Sequence, residues 1–168
     1  MKIIKLWHHI NAFFAKLIYK LIYMKRFDCK KGVTWRRSLS LMIDRDGKVI
    51  IGENCFFNNY CSLNANKGIT IGNDCIFGEN VNIYDHNHRF SCYNTPIYKQ
   101  GYSVDEIVIG NNCWIGSNVT ILKGNVIGEH CVIGAGCVIS GEVPSHTVVK
   151  NASTLVYEKI KDGERNDS

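Results

Sequence analysis

The sequence lacks three features that would define a protein class at once. It has no Cys-x-x-Cys pair among its eight cysteines and no cleavable signal sequence. It also has no apolar run near the ~20 residues that a bilayer span requires, because Lys5, Lys16 and Lys20 interrupt the apolar N-terminal stretch. We therefore expect reduced thiols and a cytoplasmic location, with neither a disulfide framework nor a membrane-spanning helix.

Acidic residues are scarce at one end of the chain. Residues 1–37 carry ten Lys or Arg and a single acidic residue, Asp28, so an anionic partner is expected to meet the N-terminus. The chain as a whole has 168 residues and 45% hydrophobic content, which is enough for one domain with a buried core. The composition excludes disordered and fibrous classes.

What the sequence does contain is a six-residue period. A large apolar residue recurs at every sixth position within four triplets: Ile51, Phe57 and Leu63; Ile71, Phe77 and Ile83; Ile109, Ile115 and Ile121; Ile127, Ile133 and Ile139. Short strands that point these residues inward, with a tight turn after each strand, close a triangular coil of 18 residues, and successive coils stack with parallel strands. The period therefore predicts an all-β solenoid, a left-handed parallel β-helix of hexapeptide repeats.

Two further positions keep the same period. The position two before each large residue is apolar in every repeat except at Asn125, and six cysteines occupy it, which favours packing over redox or metal roles: Cys55, Cys61, Cys75, Cys113, Cys131 and Cys137. The position three after it is rich in residues that tolerate left-handed backbone angles, so we expect a turn there: Asn54, Tyr60, Asn66, Asp74, Asn80, His86, Asn112, Asn118, Gly124, His130, Gly136 and Glu142.

Four segments with this period resemble a known family, the hexapeptide-repeat acyltransferases, and within it the galactoside, maltose and capsular-sugar O-acetyltransferases. The segments are residues 71–74, 85–88, 109–117 and 133–139, and the resemblance covers residues 47–150. It implies an enzyme that transfers an acetyl group from acetyl-CoA to a sugar hydroxyl, in surface polysaccharide or glycan modification. It also implies a homotrimer with the site between adjacent subunits, and no metal.

The period breaks once, between Ile83 and Ile109, and we predict a long inserted loop over residues 84–106. Functional residues often lie on loops inserted into a rigid solenoid. This loop opens with Asp85, His86 and His88, and an imidazole has a pKa suited to removing a proton from an attacking hydroxyl. The resemblance implies a base five residues beyond Ile83, which favours His88. It leaves His86 as a supporting or substrate-facing group and Asp85 as a residue that orients an imidazole.

The resemblance also implies residues that bind the two substrates. Trp114 would line the site for both the donor and the sugar, and the coenzyme A contacts would be Ser117, Ala135 and Ser140, while Asn58 and Asn66 would lie near the acceptor. The chain departs from the family pattern in having Gly141 and Glu142 where a basic residue is usual. We therefore assign Lys150, or a basic residue of a neighbouring subunit, as the candidate for the missing charge.

The N-terminal segment shows a different period. Apolar residues recur at helical spacing from Ile3 to Met24 among lysines, which predicts a basic amphipathic helix over residues 1–27. Two interpretations stay open, because such a helix can pack on the β-helix or between subunits, or can lie on the inner, anionic membrane surface. The β-helix itself is expected over residues 28–161 and a disordered tail over residues 162–168.

Three alternatives to a sugar acetyltransferase remain. A zinc carbonic anhydrase shares the fold but needs three clustered histidines, and outside the helix the chain offers only His86, His88, His130 and His146. A catalytically silent scaffold that binds partners or nucleotide-sugars is a second alternative, and an acyltransferase with a non-sugar acceptor is a third. No feature of the sequence indicates a nucleic-acid partner.

Overall fold

The computed structural model describes residues 2–152. One α-helix, α1 (Lys2–Tyr23), and a 3-10 turn (Met24–Arg26) precede the strands in the described part of the chain. The strands are β1 (Phe27–Cys29), β2 (Thr34–Trp35), β3 (Leu39–Ile43), β4 (Val49–Ile51), β5 (Phe56–Phe57), β6 (Cys61–Ala65), β7 (Ile69–Ile71), β8 (Ile76–Phe77), β9 (Asn82–Tyr84), β10 (His86–His88), β11 (Tyr102–Val104), β12 (Ile107–Ile109), β13 (Trp114–Ile115), β14 (Thr120–Ile121), β15 (Val126–Ile127), β16 (Val132–Ile133), β17 (Val138–Ile139), β18 (Glu142–Val143) and β19 (Val148–Val149).

The strands form the three faces of a parallel β-helix of about six turns. Sheet A has the order β1-β4-β7-β12-β15-β18, sheet B the order β2-β5-β8-β13-β16-β19, and sheet C the order β3-β6-β9-β14-β17. Each strand pairs in parallel with the strand one coil along, as in Ile115 opposite Phe77 and Ile133. The predicted left-handed β-helix of hexapeptide repeats is confirmed.

The core is the one that the period predicts. All twelve large apolar residues of the four triplets are buried, and so are the six cysteines at the small inward position. Phe57 and Phe77 stack inside the column with ring centroids 4.4 Å apart. Asn125, the exception to the apolar pattern, is also buried, and its Nδ2 donates to the carbonyls of Leu122 at 2.9 Å and Ile139 at 2.8 Å.

The turns agree with the expectation at nine of the twelve positions, where the backbone φ is positive. The exceptions are Asn66, His86 and Glu142. Near Glu142 the left-handed residue is Gly141 instead, with φ +94°. His86 begins strand β10 rather than occupying a turn, because the backbone leaves the coil at this corner.

The column starts one coil earlier than the triplets indicate. β1, β2 and β3 form a first coil whose inward residues Cys29, Trp35 and Leu41 align with Ile51, Phe57 and Leu63 of the next. These residues are spaced by six as well, and they lie within the predicted β-helix, residues 28–161. The helix also ends earlier than predicted, at Tyr23, and Phe27 already belongs to the column.

Helix α1 covers the open end of the first coil through one narrow face. The Tyr19 hydroxyl donates to the Leu39 carbonyl at 2.6 Å, the Tyr23 hydroxyl donates to the Leu41 carbonyl at 2.8 Å, and the Lys16 ammonium donates to the Val33 carbonyl. Ala12 is fully buried on the same face. Among residues 2–152, no helix is long and apolar enough to cross a bilayer. The predicted tail, residues 162–168, lies outside the described part of the chain.

Candidate active site

The insertion leaves the column at a corner that Asp85 organises. This carboxylate is fully buried and accepts backbone N–H bonds from Asn66 at 2.8 Å and from Lys67 and Gly68, each at 2.7 Å. Its Oδ1 also lies 3.0 Å from Nδ1 of His86. Buried carboxylates are tolerated when hydrogen bonds satisfy them, and Asp85 meets that condition. Asp85 therefore ties the preceding corner of the column to the start of the loop and fixes the neighbouring imidazole.

The two candidate histidines lie on one face of a β-hairpin. β10 and β11 pair antiparallel, with His86 opposite Val104 and His88 opposite Tyr102. Because strand residues two apart point to the same side, both imidazoles contact the Tyr102 ring, at centroid distances of 5.1 Å for His86 and 4.6 Å for His88. His86 is largely covered, with 19% of its side chain exposed, whereas His88 is exposed.

A cavity of about 310 Å³ opens beside this hairpin. It is lined by side chains from the helix, from sheet C and from the loop: Tyr23, Met42, Ile43, Asp44, Asn64, Asn66, His86 and Tyr102. Asn66 was expected near the acceptor, and it lines the cavity together with His86. Sequence reasoning missed Tyr102, Asn64 and Tyr23, because the antiparallel pairing of the loop and the seat of the helix leave no periodic signal.

Three of the residues expected to contact the donor, Ser117, Ala135 and Lys150, lie at a different corner, between sheets B and C. Ser117 and Ala135 stack there, and the Gly136 N–H donates to the Ser117 carbonyl at 2.9 Å. The Ser117 hydroxyl accepts the backbone N–H of Glu79 at 3.1 Å. Lys150 follows β19 at the same corner and is exposed. A Cβ on Gly116 would lie 2.7 Å from the Ala135 nitrogen, so only glycine permits this close stacking.

Three other predicted residues complete the map. Trp114 points outward from β13 and is 57% exposed, on the strand that leads to the Ser117 corner. Asn58 follows β5 at that corner too, and it does not line the cavity beside His86. Ser140 follows β17 and is exposed, at the corner between sheets C and A where the loop leaves the column two coils earlier.

The single chain separates the predicted residues into two groups. Asp85, His86, His88 and Ser140 belong to the corner between sheets C and A, and Ser117, Ala135 and Lys150 belong to the corner between sheets B and C. Sheet C separates the two corners.

The loop tip presents apolar side chains to the outside. Phe90, Tyr93 and Tyr98 are all exposed, although the loop itself is ordered by Gln100, whose Nε2 donates to the carbonyls of Cys92 at 2.9 Å and Thr95 at 2.7 Å. Exposed aromatic residues on an ordered loop are typical of a surface that contacts another molecule.

Two further histidines of the column lie away from the loop. His130 and His146 occupy turns of successive coils, with ring centroids 5.5 Å apart, and His130 Nδ1 lies 2.7 Å from Asn112 Nδ2. Within residues 2–152, no three His, Cys, Asp or Glu side chains come together in a way that could hold a metal ion.

Comparison with known proteins agrees with this architecture. Residues 106–141 match the family model described as bacterial transferase hexapeptide (six repeats). The chain is 27% identical to the putative lipopolysaccharide biosynthesis O-acetyl transferase WbbJ of Escherichia coli K12, over 89% of this chain and 85% of that one. It is 32% identical to the galactoside O-acetyltransferase of the same organism over 68% of this chain, and it spans only 56% of that relative's length.

A solved structure gives the same result. A galactoside acetyltransferase in complex with coenzyme A superposes with a TM-score of 0.69 at 26% identity, over 88% of this chain and 70% of that one. The chain carries the hexapeptide repeat of bacterial transferases and is similar to hexapeptide-repeat acyltransferases in sequence and fold. It is an acyltransferase, and the relatives to which it is most similar include O-acetyltransferases of sugars.

Proposed function

We propose that this protein transfers the acetyl group of acetyl-CoA to a hydroxyl of a saccharide, in surface polysaccharide or glycan modification. The single observation that carries the proposal is the histidine hairpin at the one break in the column, beside a cavity lined by Asn64, Asn66 and Tyr102. Amide, imidazole and phenol groups beside a small apolar wall suit a polyhydroxylated acceptor. The activities of the relatives, and the coenzyme A bound to the solved galactoside acetyltransferase, support the donor and the acceptor class.

His88 is the general base in this proposal. Its ring is exposed and rests on Tyr102, so its free nitrogen is open to an acceptor hydroxyl and to a donor brought by a second copy. His86 has one nitrogen committed to Asp85, which leaves Nε2 to contact the acceptor in the cavity. The register of the family resemblance also favours His88.

The reaction is direct transfer. The hydroxyl oxygen attacks the thioester carbonyl carbon while its proton passes to His88, and a backbone N–H stabilises the oxyanion that forms. Collapse of the tetrahedral intermediate breaks the carbon–sulfur bond. The thiolate of coenzyme A takes the proton from the imidazolium, so the products are the acetyl ester and the free thiol, and the base returns to its starting state.

The donor sits between two copies in a homotrimer. Trp114 offers an exposed aromatic wall for the pantetheine arm or a sugar face, and the stacked turns at Ser117 and Ala135 offer backbone groups beside it. Lys150, exposed at the end of this stack, supplies positive charge for the 3′-phosphate. Separation of this corner from the histidine corner within one chain supports an intersubunit site.

The test compares two alanine variants of the hairpin in a thiol-release assay with acetyl-CoA and a panel of saccharides. We expect His88→Ala to lower kcat by on the order of 10³-fold, the contribution of a general base, while coenzyme A binding stays within about twofold of wild type. His86→Ala should chiefly raise KM for the acceptor. Full turnover in His88→Ala, or loss of kcat in His86→Ala alone, contradicts the assignment. The absence of thiol release with every saccharide contradicts the proposed function.

A further inference from the structure

Helix α1 has the reverse of the usual orientation of an amphipathic helix. In a soluble protein the apolar side of such a helix normally faces the core. Here the face toward the column carries Ala12, Lys16, Tyr19 and Tyr23, which pack on or hydrogen-bond to the first coil. The opposite face is the apolar one, and its members are exposed: Ile10, Phe13, Phe14, Leu17, Ile18, Leu21 and Ile22.

The exposed face is too large to be incidental. The helix has 22 residues, so it is about 33 Å long, and large apolar side chains occupy the outward positions along the part from Ile10 to Ile22. Leu21 is 80% exposed and Phe14 is 58% exposed. Contiguous apolar surface of this size on a soluble protein marks a contact site.

The charges around this face are of one sign. The helix contains no acidic residue, and Lys20, Lys25 and Lys48 line an apolar groove that Leu21, Met24 and Ile50 form at its C-terminal end. Asp28 lies in the same groove but is paired with Lys30 at 2.8 Å. Ammonium groups beside an apolar surface match the boundary between anionic headgroups and acyl chains.

We propose that the outward face of α1 docks this protein on an anionic lipid bilayer, with the helix lying in the plane of the interface. A second copy of the chain fits less well, because pairing two such faces would bring their lysines together without acidic partners. Anionic headgroups neutralise the same lysines, and acyl chains cover the apolar residues. The proposal does not depend on the acyl-transfer chemistry.

This orientation has a consequence for the candidate active site. Tyr23, at the end of α1, lines the cavity that also contains His86. The helix that lies on the bilayer therefore contributes, through its inward face, to the wall of the acceptor cavity, and docking holds that cavity near the membrane surface.

The test is co-sedimentation of the full chain with vesicles of phosphatidylcholine alone or with 30% phosphatidylglycerol. Phe14→Glu/Leu21→Glu removes two outward contacts and adds two repelled charges, and neither residue lines the acceptor cavity. We expect wild type to bind only the anionic vesicles and to lose binding at high salt. The double variant should bind on the order of a hundredfold more weakly or worse, since each change loses apolar burial and gains electrostatic repulsion.

The matched control is Val138→Glu/Val148→Glu, which adds the same charge to exposed positions on the last strands of sheets C and B, at the opposite end of the column from the first coil and α1. Its affinity for the vesicles should stay within about threefold of wild type, because salt screens added charges that lie away from the lipid surface. Circular dichroism checks that both variants are folded. Acetyl transfer to a water-soluble saccharide should be unchanged in Phe14→Glu/Leu21→Glu, which separates this test from the test of the proposed function.

Three results overturn the proposal. The first is a wild-type protein that ignores anionic vesicles. The second is a double variant that still binds them like wild type. The third is a lower oligomeric mass of the double variant in light scattering, which assigns the apolar face to a second copy of the chain.

Discussion

The sharpest structural prediction concerns Asp85, the buried carboxylate at the base of the loop. Asp85→Asn keeps the size of the side chain but replaces one carboxylate oxygen with an NH2 group. In the native protein, Oδ1 accepts the Asn66 N–H and contacts the His86 imidazole nitrogen. Oδ2 accepts the Lys67 and Gly68 N–H groups. In the amide, the NH2 group can take the Oδ1 position and donate to Nδ1 of His86 in its other tautomer, which leaves the Asn66 N–H without an acceptor. The opposite orientation would leave both the Lys67 and the Gly68 N–H groups without one.

The magnitude follows from the lost bond. A hydrogen bond to a charged acceptor contributes about 1.5 to 3 kcal/mol, and the Asn66 N–H loses such a bond. We expect the free energy of unfolding to fall by about 2 kcal/mol. Asp105→Asn is the control, because Asp105 stands at the other end of the insertion with an exposed carboxylate, 3.5 Å from Lys67. That change should cost less than about 1 kcal/mol.

The assay is urea unfolding, followed by circular dichroism at one fixed protein concentration, because association couples to stability in an oligomer. The two aspartates differ in burial and in hydrogen bonding but not in residue type. A loss for Asp85→Asn no larger than that for Asp105→Asn would refute the reasoning that Asp85 holds the corner together.

Two further predictions concern exposed side chains, Lys150 at the end of the column and Cys92 on the inserted loop. Lys150→Ala should raise KM for acetyl-CoA by on the order of tenfold, the worth of one charge-assisted contact, and should leave KM for the 3′-dephosphorylated donor unchanged; an equal rise with both donors contradicts the phosphate contact. Ellman's reagent should titrate one thiol in the native protein and eight after denaturation, because only Cys92 is exposed. Burial raises the pKa of the Cys61 thiol to about 11, and Cys92→Ser should leave no fast-reacting thiol.

The column was predictable because the same packing contacts repeat in every coil. Each large residue of a triplet has to meet its counterpart one coil away, so the sequence repeats at a fixed interval, and even Asn125 could be assigned to the core by position alone. The same rule covers Cys29, Trp35 and Leu41, which keep the spacing of six in the first coil. The period is interrupted once, after Ile83, where the inserted loop with His86 and His88 leaves the column.

The helix and the loop were less predictable, because contacts with other parts of the chain, and not their own sequence patterns, determine their orientation. The open coil presents unpaired carbonyls, and Tyr19, Tyr23 and Lys16 satisfy them, which turns the apolar side of α1 outward. The six-residue period predicts a turn at His86. It lies in a strand because its backbone pairs with Val104, a residue 18 positions along the chain.

The central claim is that one catalytic site draws its histidine from one copy and its tryptophan face from the next. It is tested by co-expressing His88→Ala and Trp114→Ala chains with two different affinity tags and purifying the mixed assemblies. Each variant alone should be nearly inactive. In every mixed trimer one of the three interfaces combines an intact His88 with an intact Trp114, so we expect about a third of the wild-type activity. Mixed assemblies no more active than either parent would contradict the claim.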